Sequence, residues 1–135
     1  MSLSVSSSAL EDAGKLILRV SLGVLILFHG IDKIVHGIGP IQGMVTGMGL
    51  PAVVAYGVYL GEVLGPVLLV PGFYARIGAG LIAINMVFAI LLAHSGDLLS
   101  LSPHGGWRLE LQGMYLSTAL ALAFLGPGRY SINQR

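Results

Sequence analysis

Six of the ionisable residues within the apolar stretches of the sequence are candidates for chemistry: Arg19, His29, Lys33, Glu62, His94 and Glu110. In a hydrocarbon environment a charged side chain costs about 2.5–3.5 kcal/mol unless it is paired or faces a polar cavity. Their positions suggest two groupings. Counting ~1.5 Å per residue from the ends of their stretches puts Arg19 ~8 Å deep and Glu62 ~12 Å deep. An arginine side chain bridges that difference, so the expected arrangement is a buried Arg19–Glu62 ion pair that sets the register of two helices. The chemical alternative is a Glu62 carboxylate that accepts a proton in a low-dielectric setting.

The second grouping is His29, Lys33, His94 and Glu110, delivered to nearly one depth by three separate stretches. Together they would line a polar pocket suited to an amphipathic ligand with a polar head and an apolar tail. Donors there would stabilise negative charge developing on the head; the alternative is a closed network in which the groups satisfy one another. Arg19, His29, Asp32, Lys33 and His36 fall within an arc of about 140° on one helix. His29 and His36, seven residues apart, lie about 10 Å from each other along the axis, too far to share a metal, and no metal site is assigned. Asn85 is expected to make an interhelical hydrogen bond.

Four apolar stretches near the ~20 residues needed to cross a hydrocarbon core must position these groups: 14–36, 52–70, 73–94 and 109–126. Gly39-Pro40, Pro51, Pro71-Gly72 and Gly126-Pro127-Gly128 punctuate them. Backbone groups in lipid must be paired within their own segment, which favours helices. The expected fold is therefore all-α, an integral membrane four-helix bundle forming one domain over 1–135. Gly57, Gly61 and Gly65 recur every fourth residue, a small-residue ridge along which a helix, including one from another copy of the chain, could approach closely. The two longer connections are 37–50, apolar and glycine-rich and suited to a re-entrant or interfacial piece, and 95–108. They are the segments expected to cover a site.

Composition agrees: 55% of the 135 residues are hydrophobic and 10% charged, with a mean hydropathy of +0.86, so the lipid bilayer is the expected surrounding. A net charge of +1 without a basic run excludes nucleic acid as a partner. No cysteine is present, so this chain supplies no cysteine-based redox centre. The first dozen residues lack the basic segment and cleavage site of a signal peptide, so no removable targeting segment is expected. Lys15, Arg19, Arg76, Arg129 and Arg135 lie on the side shared by both termini, against Lys33 and Arg108 on the other. That asymmetry places both termini in the cytoplasm.

Leu18-Arg19, Phe28-His29-Gly30 with Lys33, Gly49-Leu50-Pro51, Gly61-Glu62, Arg76, His94, Glu110 and Gly126-Pro127-Gly128-Arg129-Tyr130-Ser131 occur in an order and spacing that resemble the DoxX/DoxD-like membrane proteins. The resemblance runs from Lys15 to Ile132. It implies a four-helix protein of the inner membrane that serves as a component of an oxidoreductase system. Relatives include a subunit of a thiosulfate:quinone oxidoreductase and members of complexes handling oxidative stress. A quinone then becomes a candidate cofactor or ligand of the pocket, and a soluble redox enzyme a candidate partner. The competing class is a non-enzymatic membrane carrier or an assembly partner for such an enzyme.

Reporter fusions after Gly39, Pro71, Gly96 and Arg135 test the orientation. Those at Gly39 and Gly96 should report the outer side and those at Pro71 and Arg135 the cytoplasm; an active outer-side reporter at Arg135 overturns it.

Overall fold

A computed structural model describes residues 7–135. Among them the fold is all-α. Helix α1 spans Ser7–His36 and a short α2 spans Gly39–Gly47. A composite helix comes next, running as a 3-10 segment over Ala52–Gly57, a π turn over Leu60–Leu64 and α3 over Gly65–Leu69. Then come α4, Ala75–Ala93, and α5, Glu110–Leu125. Three of these are long and apolar enough to cross a membrane: Ser7–His36, Ala52–Leu69 and Ala75–Ala93.

The simple count of four helices therefore needs correction. The glycine-rich 37–50 connection contains α2, because Pro40 sits in its first turn, where no donor is needed, and Val45 buries beneath it. At 16 residues, α5 is shorter than the other three spans. The second span is not a uniform α-helix but changes pitch twice, with Glu62 inside its π turn. Such single-turn π segments widen a helix locally and are frequent at functional sites.

Contacts connect α1 to α3, to the π turn and to α5, and connect α4 to the same three. The core between them is thin: Leu22 and Ile26 of α1, Leu69 of α3, Ala79, Ile82 and Met86 of α4, and Ala119 and Leu122 of α5. Outside it the surface is strongly apolar, with Ile17, Phe28, Val53, Ile84 and Phe124 all exposed. A protein surrounded by water rarely presents so continuous an apolar surface, whereas lipid matches it.

The end that carries both termini is closed by the last ten residues. Arg19 is 1% exposed, and its guanidinium donates to the carbonyls of Pro127 and Tyr130. Ile132 and Asn133 donate their amides to Pro71 and Gly72, and the Arg76 amide donates to the carbonyl of Arg135. The Asn133 side chain accepts from the amide of Tyr74, which has a left-handed backbone (φ 50°). The Arg76 guanidinium donates to the carbonyls of Ala123 and Phe124, which a helix C-terminus leaves without partners.

The expected Arg19–Glu62 pair does not form. Gly72, at the connection after α3, lies against the Arg19 guanidinium, whereas Glu62 pairs with Lys33. Lys33 is fourteen residues farther along α1, about 21 Å at helical rise. The depth count failed because α1 begins at Ser7 and its first turns project beyond the α3–α4 connection.

Arg19→Met should strip the buried Pro127 carbonyl and the part-buried Tyr130 carbonyl of their donor and lower stability by about 3 kcal/mol, read as thermal unfolding in detergent. Deleting residues 126–135 should cost a similar amount. If Arg19 acts through the tail, the combined variant loses little more than either alone; full additivity overturns that link.

Candidate functional site

At the end opposite the termini, a cavity of about 510 Å³ lies between α1, α2, the composite helix, α4 and α5. Its polar end is built on the Lys33–Glu62 ion pair. Lys33 Nζ is 2.7 Å from Glu62 Oε1, and the Glu62 side chain is 6% exposed. The other carboxylate oxygen accepts from Asn85 Nδ2 at 3.3 Å, so α1, the composite helix and α4 meet at one carboxylate.

Two glycines permit that meeting. A Cβ on Gly30 would collide with the backbone carbonyl of Glu62, and one on Gly61 with the side chain of Asn85. The backbone of α1 thus touches the π turn directly, and Asn85 lies flat against it. The Tyr59 hydroxyl donates to the Lys33 carbonyl at 3.1 Å, tying the composite helix to the last turns of α1.

The histidines stand around the rest of the polar end. His29 meets the ring of Tyr115 edge-on at 6.3 Å. His94, just past α4, has Nδ1 3.4 Å from Asp97 Oδ2 and Nε2 3.5 Å from Gln112 Nε2. An Asp97 that accepts from Nδ1 leaves Nε2 as an acceptor, the tautomer that a Gln112 donor requires. Among the described residues no three His, Asp or Glu side chains are grouped to hold a metal ion.

The remaining wall is apolar. Val54 and Leu60 of the composite helix and Ile84 and Phe88 of α4 line the cavity and are exposed residues. The cavity therefore opens sideways between these two helices. At Gly57, on the same rim, a Cβ would meet nothing. Ile41, Met44 and Val45 of α2 line the cavity as well, so of the two connections expected to cover a site 37–50 borders the cavity, whereas no lining residue comes from 95–108.

A family model described as DoxX matches residues 14–95. A protein of Bacillus subtilis (strain 168) named "Putative oxidoreductase CatD" is 35% identical over 115 residues, covering 85% of this chain and 81% of that protein. The chain belongs to the DoxX family. No solved structure matches it significantly.

Of the four pocket residues expected in this DoxX protein, His29, Lys33 and His94 line the cavity and Glu110 does not. Glu110 is exposed in the first turn of α5, its carboxylate beside Gly106. Gln112 faces the cavity instead, and at 100° per residue the two point about 160° apart around α5. Glu62, expected on the far side with Arg19, is in fact the carboxylate of the pocket.

The glycine ridge is also reassigned. Gly61 packs on Asn85, and Gly65 packs on Gly78 and Ile82 of α4, so two of its three positions are used within the chain and are not open to another copy. Asn85 makes its interhelical bond, but to the site carboxylate. Gln112 and Tyr115 went unnoticed in the sequence, because an uncharged Gln and a Tyr in an apolar helix carry no signal until the helix phase is known.

Lys33→Met, which leaves the Glu62 carboxylate buried without its counter-charge, should lower stability by about 3 kcal/mol, and Lys33→Met with Glu62→Gln should recover part of the loss. Losses from Arg19→Met and Glu62→Gln should simply add. Recovery in the Arg19 and Glu62 combination, and none in the Lys33 and Glu62 combination, would overturn this pairing.

Proposed function

We propose that this DoxX-family membrane protein is the membrane component of an oxidoreductase system and that its cavity binds a quinone-type ligand. The observation that carries the reading is the polarity of the cavity: hydrogen-bonding groups at one end, and apolar walls open to the surrounding lipid at the other. Such a site holds the polar head of an amphipathic molecule and lets its tail lie among the acyl chains. The similarity to a Bacillus subtilis protein named as an oxidoreductase supports the class of chemistry.

In this reading Lys33 and His29 donate to the oxygens of the head, preorganised donors that stabilise the negative charge that reduction places there, and the His94 Nε2 acceptor takes a hydrogen bond from a hydroxyl of the reduced head. The chain has no cysteine, so electrons reach or leave the ligand through a partner redox enzyme. The protein lies in the inner membrane with both termini cytoplasmic, as the distribution of Lys and Arg favours. That orientation puts the cavity near the outer face and the tail-sealed end towards the cytoplasm.

Binding of a short-tailed quinone to the detergent-solubilised protein tests the proposal. Wild type should bind the quinone and its quinol, and His94→Ala should weaken binding of the quinol about tenfold, the equivalent of one hydrogen bond of ~1.4 kcal/mol, with unfolding temperature little changed. Gly57→Trp, on the lateral rim, should weaken a long-tailed quinone more than a tailless one. No binding by well-folded wild type ends the proposal; equal affinity in His94→Ala removes His94 from the site.

A further inference from the structure

Helix α5 is short for a membrane span. Its 16 residues rise about 24 Å, against the roughly 30 Å of a hydrocarbon core. The segment that precedes it is unusually apolar for a connection: Leu98, Leu99, Leu101 and Trp107 are all exposed, Leu99 at 98%. Leu101 and Trp107 are paired in an antiparallel bridge, so residues 98–108 form a small hairpin. Its turn carries the exposed Pro103 and His104, and the Glu110 carboxylate lies beside Gly106.

Two features fit this hairpin to lipid rather than to water. Much of its polar backbone is bonded internally: the amides of Ser102, Gly105 and Arg108 donate to the carbonyls of Gly106, Ser102 and Ser100, and the indole N–H of Trp107 donates to the Leu98 carbonyl at 2.8 Å. Main chain beside hydrocarbon needs such pairing. The indole also continues the lipid-facing surface of α5. A Cβ on Gly113 would stand 2.9 Å from its ring. Gly113, Met114, Leu120 and Phe124 fall within about 120° of one another around the helix, and the last three are exposed.

We infer that the 98–108 hairpin is an interfacial anchor: Leu98, Leu99, Leu101 and Trp107 lie among the lipids of the leaflet at the cavity end, where headgroups meet acyl chains. They supply the ~6 Å of apolar thickness that α5 lacks. Tryptophan suits that depth, having an apolar body and a single polar handle. Arg108 is exposed and, among the described residues, forms no ion pair, so its side chain is free to reach the lipid phosphates. His94 lies just before the hairpin and lines the cavity. The same seat therefore holds the polar end of the cavity just beneath the headgroups.

Trp107 is the only tryptophan of the chain, so its fluorescence reports on the hairpin directly. Full-length protein is reconstituted in phosphatidylcholine vesicles brominated either near the headgroup end or near the far end of the acyl chains, with iodide as the aqueous quencher on both sides. Wild type should lose more emission to the shallow bromine than to the deep bromine, and little to iodide. Leu99→Trp in a Trp107→Phe background moves the probe to the most exposed of the leucines and should give the same order. Leu99→Asp with Leu101→Asp should lift the hairpin, so that bromine quenching of Trp107 falls and iodide quenching rises while the unfolding temperature in detergent is little changed. Iodide quenching without bromine quenching, at either probe position, puts the hairpin in water and overturns the anchor. Quenching by neither puts it against protein, a second copy or a partner, and overturns it equally. Bromine quenching of Trp107 that the paired Asp substitutions leave unchanged also overturns it, because the indole is then held at its depth by α5 alone.

Discussion

The contact between Lys33 and Glu62 is the constraint on which much of the structure depends. A carboxylate in the middle of an apolar helix has to find a cation, and the cation available is about four turns past Arg19 on α1. Meeting it brings the α1 backbone onto the π turn, which requires a glycine at position 30, and draws Asn85 of α4 onto the second oxygen across Gly61. Three spans are thereby fixed to one another at a single depth. The cavity is the space left beside that junction, where the composite helix and α4 diverge towards the lipid.

The two ends of the molecule solve their polar problems differently. At the end with the termini, Arg19 and Arg76 donate to main-chain carbonyls, and the tail completes the hydrogen bonding of the α3–α4 connection. Those partners are fixed backbone groups, so the result is a seal. At the other end the charged and polar groups are side chains around an open volume, each with bonding capacity beyond its protein partner. This asymmetry is why the function is assigned to one end and stability to the other.

Much of the plan was readable in the amino acids. Long apolar runs with Pro and Gly between them define helices, because hydrocarbon length and backbone pairing leave few alternatives. The described helices begin and end close to the expected positions, α1 starting at Ser7, several residues before its apolar stretch. That His29, Lys33 and His94 would border one cavity was recognisable because ionisable groups in such runs demand compensation, and they lie near the ends of spans that a hairpin topology brings level.

What the sequence by itself determined was the apolar spans, their punctuation and the presence of uncompensated charges, since these are set by composition and one-dimensional spacing. Which charges pair is a tertiary question. Arg19 met carbonyls of a tail more than a hundred residues away, a partner with no side-chain signature, and Glu62 met Lys33 because α1 projects beyond the connection and shifts the depth scale. Glu110 and Gln112 exchanged places for a related reason: the phase of α5 is set by packing against α4, and two residues of rotation decide which side chain faces the cavity.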